Sequence, residues 1–131
     1  MKALLPFHIN KVGAGFPSPA TDYVKDEIDL NAHLIKNIPA TFLIRVQGKS
    51  MNNVGISNGD LLVVDRSLNP KHFSTVVANI NDELVVKSFL KEKNQNFLTS
   101  GSKEIKDKIN LTENSEVIIW GVVTYIIHAL Q

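Results

Sequence analysis

The sequence contains no cysteine. That absence excludes disulfide bonds, thiolate metal ligands and a cysteine nucleophile, and it fits a reducing compartment such as the cytoplasm. The four histidines, His8, His33, His72 and His128, do not have the spacing of a zinc motif, and no glycine-rich phosphate-binding loop is present. The sequence therefore predicts neither a metal site nor a bound cofactor.

The chain also lacks a strong excess of either charge and a long apolar run. Its 131 residues carry a formal net charge of +1, which argues against a strongly basic nucleic-acid-binding surface. The longest apolar stretch, residues 117–130, is interrupted by Gly121, Thr124 and His128. It is shorter than the ~20 residues of a membrane-spanning helix. We therefore expect a soluble, cytoplasmic protein with no membrane partner.

Residues 1–39 are predicted to form an N-terminal arm with one or two short helical turns. Glycine and proline cluster between residues 13 and 19, and both residue types disfavour regular structure. Apolar residues recur at rough helical spacing between residues 20 and 37. The small residues Ala14 and Gly15 would let the backbone of the arm enter a narrow cleft, so the arm is a candidate peptide substrate.

Residues 40–131 are predicted to form a mostly β domain with a curled or barrel-like sheet, because short apolar runs alternate with turn signals. The predicted strands are residues 41–47, 61–65, 76–80, 84–90 and 96–99, with two more strands in 116–130 separated by a bend near Gly121. Asn81 and Asp82 suit a hairpin connection. The charged stretch 103–108 is expected to be solvated.

Ser50 is the candidate nucleophile. It follows the strand 41–47 in a turn that contains Gly48 and Lys49, where its hydroxyl would be exposed on a fixed backbone. An acyl-transfer site also needs N–H groups that point at the developing oxyanion. The backbone amides of Lys49 and Ser50 are the candidates for that role.

Lys87 is the candidate general base. It interrupts an apolar strand, and the alternation of a strand places its side chain on the face of Val85 and Phe89. A lysine in apolar surroundings loses its proton readily, because desolvation disfavours the charged form. A neutral lysine beside Ser50 would make a serine–lysine pair for acyl transfer.

Simpler interpretations of the same residues remain open. A serine beside a glycine is usually a turn residue, and a lysine in a strand often protects a sheet edge. Asp60, Asp65 and His72 follow Ser50 closely, so a Ser-His-Asp triad is an alternative to a pair with Lys87. The Gly-x-Ser-x-Gly motif of hydrolases is absent.

Several motifs occur together in a specific order. They are Gly15-Phe16-Pro17-Ser18-Pro19-Ala20-x-Asp22-Tyr23-Val24, Ile28-Asp29-Leu30-Asn31 with Leu34-Ile35, Gly48-x-Ser50-Met51, Gly55-Ile56-Ser57-x-Gly59-Asp60-Leu61-Leu62-x-Val64-Asp65, Val86-Lys87 and Gly121-Val122-Val123. In this order they resemble the self-cleaving SOS-response family that comprises UmuD and the peptidase domains of LexA-type repressors, with UmuD the closer match. The resemblance extends over residues 13–130.

The resemblance implies a LexA-type peptidase fold with Ser50 as nucleophile, Lys87 as general base, and a scissile bond between Ala14 and Gly15. It implies that the RecA filament on single-stranded DNA stimulates cleavage. It further implies that the shortened product forms a homodimer and binds a UmuC-type Y-family DNA polymerase for translesion synthesis. Too few residues precede Ala14 for a helix-turn-helix domain, so we expect no direct sequence-specific DNA binding.

Three other functions fit part of the pattern. The chain could be a non-enzymatic dimeric interaction domain, or a LexA-like repressor fragment without a DNA-binding domain. A type I signal-peptidase-like enzyme would share the serine–lysine pair, but it would need a membrane anchor, for which the sequence offers no candidate. Self-cleavage that depends on Ser50 and Lys87 distinguishes the first expectation from a pure interaction domain.

Overall fold

The computed structural model describes residues 3–8, 24–48, 54–100, 108–113 and 116–131. The strands are β1 (Leu4–His8), β2 (Val24–Asp29), β3 (Thr41–Arg45), β4 (Leu61–Asp65), β5 (Thr75–Ile80), β6 (Glu83–Glu92), β7 (Gln95–Thr99), β8 (Ile109–Asn110) and β9 (Val117–Ile127), and the helices are α1 (Leu30–Leu34) and a 3-10 helix (Ile38–Ala40). Among these described elements, no helix has the length and hydropathy needed to cross a membrane. The chain divides into two units, Met1–Lys36 and Asn37–Gln131.

The first unit contains a two-stranded antiparallel sheet followed by the short helix α1. Strand β1 pairs with β2, so that Leu4 lies opposite Asp29. Asp29 also caps α1, because its side chain accepts a hydrogen bond from the backbone N–H of Ala32 at 3.3 Å. The helical turn predicted between residues 20 and 37 is confirmed as α1. The two strands were not predicted, because their pairing across the intervening segment has no local sequence signal.

The second unit is built on one antiparallel sheet. Within the described residues this sheet has seven strands in the order β3-β4-β9-β5-β6-β7-β8. The mostly β prediction is therefore confirmed. Strands β3 and β8 are the outermost strands, so the sheet is open and is not a closed barrel.

Strand β9 corrects one detail of the prediction. Residues 116–130 were expected to hold two strands, but Val117–Ile127 is a single strand that pairs with both β4 and β5. Register shifts in these two pairings leave Trp120 and Thr124 as extra residues. Such bulges bend and twist a strand without ending it, which accounts for the bend expected near Gly121.

The hairpin predicted at Asn81 and Asp82 is confirmed. These two residues connect β5 to β6, and their φ angles are 51° and 64°. Positive φ at both loop positions gives the turn a twist that matches its flanking strands. The turn therefore sets the register that places Lys87 in β6.

Buried apolar side chains form two clusters on opposite faces of β5, because successive residues of a strand point to opposite sides. The first core cluster is Ile56, Leu62, Val64 and Val77, and the second core cluster is Val76, Ala78, Phe89, Leu98 and Val122. Partly buried residues that include Ile44, Val46 and Val86 pack on the first cluster. The sheet thus buries apolar surface on both sides and fixes the strands that carry the candidate site.

Candidate functional site

Lys87 lies within β6, in apolar surroundings. It is directly opposite Val76 of β5, and strand alternation puts it on the face of Val85 and Phe89, as predicted. Val76 and Phe89 belong to the second core cluster, and Val85 packs against that cluster. The lysine side chain itself is half-buried.

A groove of about 310 Å³ lies beside this part of β6. Its walls are Ile44, Arg45, Val46 and Gln47 from β3 and the residues after it, Val77 from β5, and Leu84, Val85 and Val86 from β6. The groove therefore brings the residues just before Lys87 alongside the end of β3. In the sequence, the end of β3 leads directly towards Ser50.

Four of the predicted site residues lie outside the described residues. They are Ala14, Gly15, Lys49 and Ser50. The catalytic pair, the oxyanion amides and the scissile bond therefore stay predictions. Gly48 is the last described residue before Ser50. The segment that ends at Gly48 is therefore the part of the structure that leads into the predicted nucleophile.

Hydrogen bonds hold that segment to the turn Ser57–Asp60, here called the 57–60 turn. The backbone N–H of Val46 donates to the carbonyl oxygen of Asp60 at 2.8 Å, and the N–H of Gly59 donates to the carbonyl oxygen of Val46 at 2.9 Å. The backbone N–H of Gly48 donates to Oδ1 of Asn58 at 2.9 Å. The 57–60 turn thus fixes the backbone up to two residues before Ser50.

Asp60 is a buried carboxylate within this turn, with 2% of its surface exposed. Its Oδ2 accepts a hydrogen bond from the backbone N–H of Ser57 at 2.8 Å, and its Oδ1 lies 2.5 Å from Nδ1 of His128. The Ser57 hydrogen bond, and after it the contact with His128, hold the pKa of Asp60 below its ordinary value of 3.8. Asp60 is therefore a charged acceptor at neutral pH.

Sequence reasoning missed the pair of Asp60 and His128, since the two residues are 68 positions apart. It considered Asp60 as a possible member of a triad, and it considered His128 only in finding that the histidines lack the spacing of a zinc motif. The two residues are brought together by the pairing of β4 with β9, in which Leu61 lies opposite Ile127. That register places the preceding Asp60 and the following His128 next to each other.

The alternative triad through His72 is not supported. Nδ1 of His72 accepts a hydrogen bond from the backbone N–H of Lys91 at 2.9 Å, whereas a triad histidine donates from Nδ1 to a carboxylate. Asp65 instead accepts from the backbone N–H and the hydroxyl of Ser67, at 2.8 and 2.5 Å. In the part of the chain that the structure describes, no three His, Asp or Glu side chains gather as metal ligands would.

Residues 6–124 match the family described as Peptidase S24-like, and the chain belongs to this family. Protein ImpA of Salmonella typhimurium is 44% identical over 123 residues, which cover 94% of this chain and 83% of ImpA. Protein MucA of Salmonella typhimurium is 41% identical over 121 residues, 92% of this chain and 82% of MucA. The LexA repressor of Shewanella denitrificans (strain OS217) is 37% identical over 111 residues, 84% of this chain and 54% of the repressor.

These comparisons confirm the resemblance inferred from the motifs. The chain is a serine peptidase of the LexA and UmuD type, and its family and relatives support a UmuD-like autoprotease of SOS mutagenesis. The mostly β fold agrees with a LexA-type peptidase domain.

Proposed function

We propose that this chain cleaves itself between Ala14 and Gly15, with Ser50 as nucleophile and Lys87 as general base. Residues 1–39 form the arm that carries the substrate peptide, and residues 40–131 form the catalytic domain. The observation that carries the proposal is the setting of Lys87, a half-buried lysine directly opposite the fully buried Val76 on the face of the second core cluster.

An amine in this setting suits a general base better than a structural ion pair. The side chains of Val76 and Phe89 offer no hydrogen-bond acceptor to an ammonium group. A neutral lysine can take the proton of a serine hydroxyl. We assign this role of general base to Lys87 of β6.

The reaction proceeds through an acyl-enzyme. Lys87 takes the proton of the Ser50 hydroxyl as Oγ bonds to the carbonyl carbon of Ala14, and the backbone amides of Lys49 and Ser50 stabilise the oxyanion. The protonated Lys87 donates to the nitrogen of Gly15 as the peptide C–N bond breaks. Lys87 then takes a proton from water as the water oxygen bonds to the ester carbon. As the bond from that carbon to Oγ breaks, Lys87 returns the proton to Ser50 and the Ala14 carboxyl group is released.

The groove supports this choice of substrate. It lies between the end of β3 and the first half of β6, and apolar side chains such as Ile44 and Val86 form much of its wall. A peptide with small side chains at Ala14 and Gly15 can approach such a wall with its backbone. The groove accepts this peptide from the same chain or from a second copy.

The RecA filament on single-stranded DNA stimulates the reaction by favouring the docked arm rather than by adding catalytic groups. An arm that docks only rarely keeps basal cleavage slow, since the observed rate is reduced by the fraction of molecules in the competent state. The shortened product forms a homodimer and associates with a UmuC-type Y-family polymerase, which allows translesion synthesis.

The experiment that tests the catalytic pair is intact-mass analysis of the purified chain after incubation with RecA, ATP and single-stranded DNA. Wild-type protein should yield a product that begins at Gly15. Ser50→Ala and Lys87→Ala should yield none, while Lys91→Ala, an exposed lysine on the same strand, should cleave normally. Cleavage of both active-site variants at Ala14-Gly15 would contradict the assignment.

A second incubation, at alkaline pH without RecA, separates the chemistry from its stimulation. A lysine base should make wild-type self-cleavage faster as pH rises, because more of the amine is neutral. A wild-type chain that remains intact under both conditions would instead support a non-enzymatic interaction domain.

A further inference from the structure

The contact between Asp60 and His128 joins the 57–60 turn to the segment after β9. Nδ1 of His128 lies 2.5 Å from Oδ1 of Asp60, and the contact continues the pairing of β4 with β9 by one position. The His128 side chain is 48% exposed, whereas that of Asp60 is 2% exposed. The imidazole therefore contributes a polar contact to a buried carboxylate rather than filling the core.

The same Asp60 organises the turn from within. Its other carboxylate oxygen accepts the N–H of Ser57, and its backbone carbonyl accepts the N–H of Val46. The neighbouring Asn58 accepts the N–H of Gly48. A displacement of Asp60 would therefore be passed to the backbone that runs from Val46 to Gly48, immediately before Ser50.

We propose that His128 is a positioning residue for self-cleavage, which acts through Asp60 to hold the 57–60 turn and, with it, the backbone that leads into Ser50. The inference rests on the proposed function, because it takes Ser50 as the nucleophile. Hydrogen bonds to an ionised acceptor are shorter and stronger than those between neutral groups, so this contact is suited to hold a turn. Nucleophilic attack is sensitive to small displacements of the attacking atom.

The test measures how fast Ser50 reacts with a small reagent, so the measured rate does not depend on docking of the arm peptide. Diisopropyl fluorophosphate reacts with an activated serine, since Oγ forms a bond to phosphorus, fluoride leaves, and the hydroxyl proton passes to the base. The rate of labelling is followed by intact mass, well below the melting midpoint of each variant, and the rate of alkaline self-cleavage is measured in parallel. The variants are His128→Ala, His128→Met and His128→Gln.

We expect His128→Ala and His128→Met to lower both rates by roughly tenfold, within the hundredfold that a 1 Å misplacement can cost. His128→Gln keeps an N–H donor and should retain most of the activity. Lys108→Ala removes a different ion pair, with Glu92, and is the matched control that should leave both rates unchanged. If His128→Ala fails to fold, the comparison of His128→Met with His128→Gln tests the positioning role.

The outcomes separate this inference from the proposed function. If wild-type protein is not labelled, or if Ser50→Ala is labelled equally, the proposed function fails. If wild-type Ser50 is labelled and the His128 variants react at the wild-type rate, the positioning role is wrong and the proposed function stands. If His128→Ala is as inert as Ser50→Ala while Lys87→Ala remains active, His128 is the base and both assignments of Lys87 and His128 are overturned.

Discussion

Lys87 lies directly opposite Val76 in the antiparallel ladder of β5 and β6, and Val76 has no exposed surface. Directly opposite residues of such a ladder have their side chains on the same face, close enough to interact. The second core cluster, to which Val76 belongs, makes this face apolar. An apolar side chain at position 87 would suit this neighbourhood as well as a lysine, so folding alone does not require an amine there.

Replacement of Lys87 by methionine should therefore separate stability from activity. Lys87→Met keeps the length of the side chain and removes the amine, so we expect the free energy of unfolding to stay within about 1 kcal/mol of wild type or to rise. Self-cleavage should be lost. Urea denaturation measures the first quantity and intact mass the second.

Lys91→Met provides the control for that experiment, because Lys91 is exposed on the same strand. It should change neither the free energy of unfolding nor the cleavage rate. A Lys87→Met protein that cleaves itself at the wild-type rate would refute the role of the amine.

The lowered pKa of Asp60 predicts a loss of stability in acid. A carboxyl whose folded pKa is below its unfolded value stabilises the fold above the unfolded value, and that contribution is lost as pH falls through the folded pKa. For Asp60 the unfolded value is near 3.8 and the folded value lies below it. Asp60→Asn should thus be less stable than wild type at neutral pH, and the difference should shrink as pH falls below about 4.

Urea unfolding of wild type and Asp60→Asn across this pH range measures the effect. His128→Gln is the informative control, because the hydrogen bond from Ser57 is the larger cause of the shift and remains in that variant. Its curve should lie between those of wild type and Asp60→Asn. A stability difference between wild type and Asp60→Asn that does not change with pH would show that the carboxylate charge contributes nothing.

Features with a local signal were predictable from the sequence. Strand β4 was predicted with its bounds, because four apolar residues are preceded by an Asn58-Gly59-Asp60 turn and followed by Asp65. The face that Lys87 occupies followed from strand alternation alone. The hairpin at Asn81 also followed, since asparagine tolerates positive φ.

Features that depend on distant partners were not predictable. The single strand β9 is held together across Gly121 by its pairing with β4 and β5, and no local signal specifies two bulges in one strand. The pair of Asp60 and His128 exists only once β9 lies beside β4. For the same reason, the groove beside β6 follows from the folded sheet rather than from any motif.

Gly121 should be sensitive to the smallest added side chain. A Cβ at this position would lie 2.6 Å from Cγ1 of Val64, a buried member of the first core cluster. Overpacking of this kind typically costs 1–3 kcal/mol, so Gly121→Ala should lower the free energy of unfolding by about that amount. Chemical denaturation of the purified variant measures it.

A double-mutant cycle with Val64→Ala identifies the cause. If the clash is with the Val64 side chain, the double variant should be more stable than the sum of the two single effects predicts, by about 0.5–3 kcal/mol. Additive effects would indicate that the loss at Gly121 does not come from the Val64 side chain but from another neighbour, such as Arg66, whose Cγ would lie 3.3 Å from the added Cβ.

The turn between β5 and β6 should accept glycine at Asp82 but reject a β-branched residue. Asp82 has a φ of 64°, in the left-handed region where a side chain normally costs about 1–2 kcal/mol and glycine costs none. Asp82→Gly should therefore equal or exceed wild type in stability, and Asp82→Val should be less stable than wild type. Thermal and urea unfolding of the three proteins give the order.

The same turn bears on the proposed self-cleavage, because the turn sets the register of β6 and so the position of Lys87 opposite Val76. Where both variants remain fully folded, Asp82→Gly and Asp82→Val should cleave themselves at the same rate. Where Asp82→Val is partly unfolded, it should cleave itself more slowly than Asp82→Gly. The matched turn is Lys93-Asn94 between β6 and β7, where Asn94 has a φ of 67°. Asn94→Gly should likewise not destabilise the chain, and a loss of more than about 1 kcal/mol in either glycine variant would contradict the backbone argument.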